Sequence, residues 1–127
     1  MTTFTKNQAV YRISNWDRKG AFAITTATVH SCGKKQMVLN CVATGECLGR
    51  NYSPTVEQWD GEVRADLTAE QAEARALELA AKFIAGEITR WTYMIELNEG
   101  KERASYIEGL KQHVAEMQAA TPTFIWR

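Results

Sequence analysis

Residues 67–86 read LTAEQAEARALELAAKFIAG, and the reading of this stretch decides the fold. Thr68-Ala69-Glu70-Gln71 is a capping box: the Gln71 amide donates to the Thr68 hydroxyl, and the Thr68 amide donates to the Gln71 side chain. Beyond it Ala69, Ala72, Ala76, Leu79, Ala80, Phe83 and Ile84 recur at helical spacing. The pattern predicts an amphipathic helix over about 69–86. Its apolar face is mostly alanine, so the layer beneath it can approach closely.

Upstream the chain reads as sheet. Ala9-Val10-Tyr11-Arg12-Ile13 is a short β-type run, closed by the polar turn Asn15-Trp16-Asp17-Arg18-Lys19-Gly20. Residues 21–31, AFAITTATVHS, and 36–43, QMVLNCVA, are rich in residues that suit a pleated surface. Gly33-Lys34-Lys35 between them predicts a hairpin over about 21–43. From 44 to 66 the pattern is less regular: Gly45, Gly49, Asn51 and Pro54 mark a loop, and Asp60-Gly61 marks a turn between two short strands.

Downstream, 88–97 reads ITRWTYMIEL. Thr89, Trp91, Tyr93, Ile95 and Leu97 alternate, whereas Ile88, Trp91, Thr92 and Ile95 fit a helix face. β-branched and aromatic content tips the expectation to a further strand. A last helix is expected over about 101–119, with Tyr106, Ile107, Leu110, Val114 and Met117 on one face and Thr121-Pro122 as its stop. Strands first and helices later give an α+β fold, with an N-terminal antiparallel sheet packed by C-terminal helices.

The chain of 127 residues fits a single domain over 1–127. Its apolar fraction of 45% and charged fraction of 24% exclude a disordered or collagen-like chain. No apolar run has the roughly 20 residues that cross a bilayer, so no membrane partner is expected. The first residues lack the apolar region of a secretory signal, and the three cysteines are an odd number. Reduced thiols in the cytoplasm are therefore expected.

Charge is zero overall but polarised along the chain. Residues 1–50 carry a net +5 and residues 51–127 a net −5. Much of the acid lies in 57–78, where Glu57, Asp60, Glu62, Asp66, Glu70, Glu73 and Glu78 face only Arg64 and Arg75. Such polarity can steer a charged partner, or the two halves can neutralise each other across the fold.

Candidate chemistry is sparse. His30, Cys32, Cys41 and Cys47 fall within eighteen residues, but their spacing lacks the CxxC chelate that makes a zinc motif specific. No metal and no cofactor are expected. Cys32 with His30 or His113 would make a thiolate–imidazole pair, the basis of a small Cys/His enzyme. No third orienting residue is identifiable, and His113 at the edge of an apolar stripe reads better as an interfacial side chain. Gly45-Glu46-Cys47-Leu48-Gly49 lacks any phosphate-loop pattern.

Two binding surfaces remain. The basic first half, with Arg12, Arg18, Lys19, Lys34 and Lys35 among Phe4, Tyr11, Trp16, Phe22 and Tyr52, has the composition of a single-stranded nucleic-acid surface. The acidic stretch offers Glu57, Trp59, Asp60, Glu62, Asp66 and Glu70, carboxylates around one tryptophan, for a partner with a basic or nucleic-acid-binding surface. The leading expectation is a non-catalytic binding protein that uses this acidic surface in protein–protein contact. In size and absence of motifs the chain looks like the accessory inhibitors of phages and plasmids, anti-restriction and anti-CRISPR types among them. A nucleic-acid-binding module is the alternative.

Overall fold

The structure, a computed structural model, describes residues 4–32, 37–52, 61–101 and 103–127. It is an α+β fold in which a six-stranded sheet, five of its strands N-terminal to the helices and one after them, packs with two helices. The strands are β1 (Ala9–Asn15), β2 (Ala21–Cys32), β3 (Met37–Cys41), β4 (Cys47–Tyr52), β5 (Gly61–Arg64) and β6 (Thr123–Trp126). The helices are α1 (Ala69–Asn98) and α2 (Ala104–Ala119). The order β4-β3-β2-β1-β5 is antiparallel, and β6 joins β2 in parallel.

β2 organises the sheet because it is long enough to hold three partners. One edge pairs Phe22–Thr28 with β1; the other gives Ala27–Cys32 to β3 and Ala21–Ile24 to β6. Alternation sends Phe22 and Ile24 to one face, where with Ile13 they meet Ala72, Ala76, Leu79 and Ala80 of α1. The small residues of the helix bring its backbone close to the sheet, as the alanine stripe predicts. Ala27 and Val29 project to the opposite face. There they form a second cluster with Phe4, Val10, Met37 and Leu39, bordered by Leu48 and Val63.

The expected hairpin over 21–43 forms as β2 and β3, although its turn at 33–36, with Lys34 and Lys35, lies outside the described residues. The strand expected near 9–13 runs on to Asn15. The expected strand over 88–97 does not exist: α1 continues through it to Asn98. Strand propensity in aromatic and β-branched residues reflects packing on a pleated surface, and no sheet edge is offered here. The helix, nucleated at the capping box, adds one backbone bond per residue, and Gly86 costs only about 1 kcal/mol against that. Docking of α2 on this second half then supplies the burial. Inward positions are Glu87, Trp91, Met94 and Asn98, a helical spacing that the alternating reading concealed.

α1 ends where Asn98 turns its side-chain amide back to the Met94 carbonyl (2.7 Å) and Gly100 takes φ +81°. α2 begins at Ala104 rather than 101, because Lys101 still belongs to that turn, its amide bonded to the Asn98 carbonyl. Leu110 and Met117 are buried as expected, but Tyr106 is 44% exposed. The tail after Pro122 supplies β6, which sequence patterning did not distinguish from loop. Among the described residues no helix is long and apolar enough to cross a membrane.

Candidate functional site

The polar turn between β1 and β2 is rigid in spite of its exposure. Asp17 Oδ1 accepts from the Lys19 amide (2.8 Å) and the Ala21 amide (3.1 Å), and Asn15 Nδ2 donates to the Lys19 carbonyl (3.3 Å). Arg18, between them, has φ +60°, an uncommon conformation for a side-chain-bearing residue. Trp16 stands at the edge of the turn, 50% exposed, with the Arg127 guanidinium 4.0 Å from its ring centre.

Across from this turn stands the middle of the helical hairpin. Glu87 of α1 is 9% exposed. Its Oε2 accepts from Trp91 Nε1 at 2.5 Å and lies 3.4 Å from His113 Nε2 of α2. The Trp91 and His113 rings meet edge to face at 5.2 Å, and Arg90 lies over the Trp91 ring at 4.8 Å. Spacing of i, i+4 puts Glu87 and Trp91 on one face of α1, and the antiparallel return of α2 delivers His113 to them. A groove of about 650 Å³ separates hairpin and turn, lined by Asn15, Trp16, Arg18, Phe83, Glu87, Arg90, Trp91 and His113.

The acidic residues singled out in the sequence are distributed differently. Glu57, Trp59 and Asp60 lie outside the described residues. Glu62, expected to be solvent-accessible, is 8% exposed on β5. Its carboxylate accepts from Arg75 Nε (2.6 Å) and Nη2 (3.0 Å), and from Arg64 Nη1 (3.2 Å). Asp66 is exposed and takes a two-pronged bond from Arg64, at 2.8 Å each. That pairing holds the Asp66 carboxyl below its ordinary range and raises the Arg64 guanidinium. Arg75 also reaches Glu78 at 2.9 Å. The two basic residues of this stretch are thus committed to its own acids. Glu70 is exposed in the first turn of α1. Glu73 accepts from Trp126 Nε1 at 2.9 Å, tying β6 to α1.

Of the basic set, Arg18 and Lys19 are exposed on the β1–β2 turn and Arg12 is half-buried on β1. The aromatics expected to accompany them are partly spent in the core: Phe4 is 7% and Phe22 2% exposed. Trp16 is the exposed ring at the turn, and the side chain of Tyr52 lies outside the described residues. An irregularity between Val29 and Ser31 leaves His30 exposed, its Nδ1 accepting from Asn40 Nδ2 at 3.4 Å. Cys32 turns instead toward the Met37 cluster, so the two do not share a face as simple alternation suggested. Cys41 pairs with Ala27, five positions along β2 from Cys32, and bonds from Thr44 lower its thiol below the ordinary range. Among the described residues no three His, Cys, Asp or Glu side chains converge as metal ligands would.

Sequence reasoning missed this cluster because Glu87 fell between the helix read to 86 and the strand read over 88–97, and Arg90 and Trp91 lay within that strand. The i, i+4 spacing of a carboxylate and an indole was the signal available. Comparison of the chain with protein-family models, with curated proteins and with solved structures finds no match.

Proposed function

We propose that this protein is a non-catalytic binding protein that works by contact with another protein, through the outer face of the helical hairpin. The observation that carries this reading is the exposure of Tyr93 (59%) and Leu97 (46%), one turn apart on α1. Arg90, 58% exposed at its side chain, extends the same stripe by one more turn. Tyrosine and arginine are among the residue types that dominate interface energies. A helix presenting them at i, i+3 and i+7 suits a partner's apolar groove.

Charge supports the choice of partner. Glu70, exposed where α1 begins, favours approach of a basic surface and acts on encounter rate more than on affinity. Glu62 and Asp66 take no part, being committed to Arg64 and Arg75. A partner that binds nucleic acid through such a basic surface would be inhibited by this contact.

The test is capture from cell lysate with the wild-type chain and with a Tyr93→Ala/Leu97→Ala variant, followed by titration of the captured protein. Each truncation is expected to weaken binding by about 1–2 kcal/mol while the thermal melt is preserved. Equal affinity of the two chains for the captured protein would remove the hairpin face as the contact.

A further inference from the structure

We infer that the groove between the β1–β2 turn and the helical hairpin is a nucleotide site, taking an amino-bearing base against Glu87 and the phosphate against Arg18 and Arg90. This inference shares Arg90 with the protein contact proposed above but otherwise rests on different residues, and its test through Arg18 and Glu87 does not depend on that contact.

The groove has the size and the walls for such a ligand. Its volume of about 650 Å³ holds a nucleoside monophosphate. Trp16, Phe83 and Trp91 supply the aromatic lining. Trp16 is half exposed while Arg127 stacks against it, so the indole is positioned before any ligand arrives. A flat heteroaromatic ring gains about 1–3 kcal/mol from stacking on such a side chain.

Glu87 gives the site its chemical selectivity. Oε2 is occupied by Trp91 and His113, whereas Oε1 makes a long ion pair with Arg90 Nη1 at 3.9 Å and no hydrogen bond to it. Among the described residues no donor bonds Oε1. Oε1 is not sealed from solvent, and Glu87 lines the groove, so a groove-bound donor can take the place of water at this oxygen. An exocyclic amine, as in adenine and cytosine, can donate to this oxygen. The imide N–H of uracil is a poorer match, because its two flanking carbonyls face the carboxylate.

The rim has the opposite charge. Arg18 is exposed on the turn that Asp17 fixes, and Arg90 is 58% exposed at its side chain. Two guanidinium groups at the mouth of a groove fit a phosphate dianion. Carboxylate inside and arginines outside reproduce the polarity of an amino-bearing nucleotide.

The test titrates AMP, CMP, UMP, adenosine, inorganic phosphate and a short oligo(dA), following tryptophan fluorescence and confirming by calorimetry. AMP and CMP are expected to saturate below about 1 mM, with UMP about tenfold weaker. Arg18→Gly, which keeps the positive φ without strain, is expected to weaken AMP about tenfold and leave adenosine unchanged. Glu87→Gln is expected to abolish the preference of AMP over UMP. Should that variant melt early, Arg18→Gly and the wild-type comparison of AMP with UMP decide the matter alone. Oligo(dA) binding more tightly than AMP identifies the source as a single strand, and weaker binding identifies it as the free nucleotide. Equal affinity for AMP and UMP overturns the inference. So does the absence of saturation by any nucleotide, or competition by inorganic phosphate as strong as by AMP.

Discussion

At Gly20 the packing of three segments depends on one missing methyl group. A Cβ there would lie 2.7 Å from the Thr121 carbonyl oxygen and 3.0 Å from Ile84 Cδ1. The first is backbone, so it cannot rotate aside, and the segment leading into β6 would have to shift. Gly20→Ala is expected to cost about 1–3 kcal/mol, read as a lowered denaturant midpoint. An unchanged midpoint would mean that the segment swings clear freely. Asp66 makes a different kind of contribution. Arg64 holds its carboxyl below the ordinary range, so the pair stabilises the fold above the unfolded carboxyl's pKa of about 4. That stabilisation is lost as pH falls through the lower, folded value. Asp66→Asn should flatten the acid limb of the stability profile and, because Asp66 is exposed, cost less than about 1 kcal/mol at neutral pH. A profile identical to wild type would show that the bridge contributes nothing.

α1 carries a correctable weakness at Gly86. The residue is exposed in the helix interior, and a Cβ added there meets nothing within 4 Å. Gly86→Ala is expected to raise stability by about 0.5–1 kcal/mol, seen as a higher melting temperature. A loss of stability would indicate that the helix needs to bend at this point. The same residue explains what could be read from the sequence. Gly86 looked like a stop, and the alternation of Trp91, Tyr93 and Ile95 beyond it looked like a strand. Periodicity alone cannot separate the two when Thr89, Trp91 and Ile95 favour one and Glu87, Trp91 and Met94 the other. The arbiter is α2, whose docking position is a tertiary fact. The capping box at Thr68, by contrast, is local and forms as read, with the two bonds at 2.9 and 3.2 Å. Glu62 shows a further limit. Its pairing with Arg75, thirteen residues away, depends on β5 lying beside α1, so no local pattern marked it as buried.

Across the whole molecule, layer order was legible because each long element has a clear periodicity, and the groove was not, because it forms between a turn and two helices distant in sequence. β6 belongs with the groove in this respect. Four residues, TFIW, carry too little pattern to separate a strand from a tail, and their partner Ala21–Ile24 lies about a hundred residues upstream. During translation this separation becomes a delay. The half of β2 that receives β6 is synthesised early, and at about 5–20 residues per second its partner follows roughly 5–20 seconds later. Throughout that interval the nascent chain presents an open strand edge beside Phe22 and Ile24, available to any neighbouring chain on the same message.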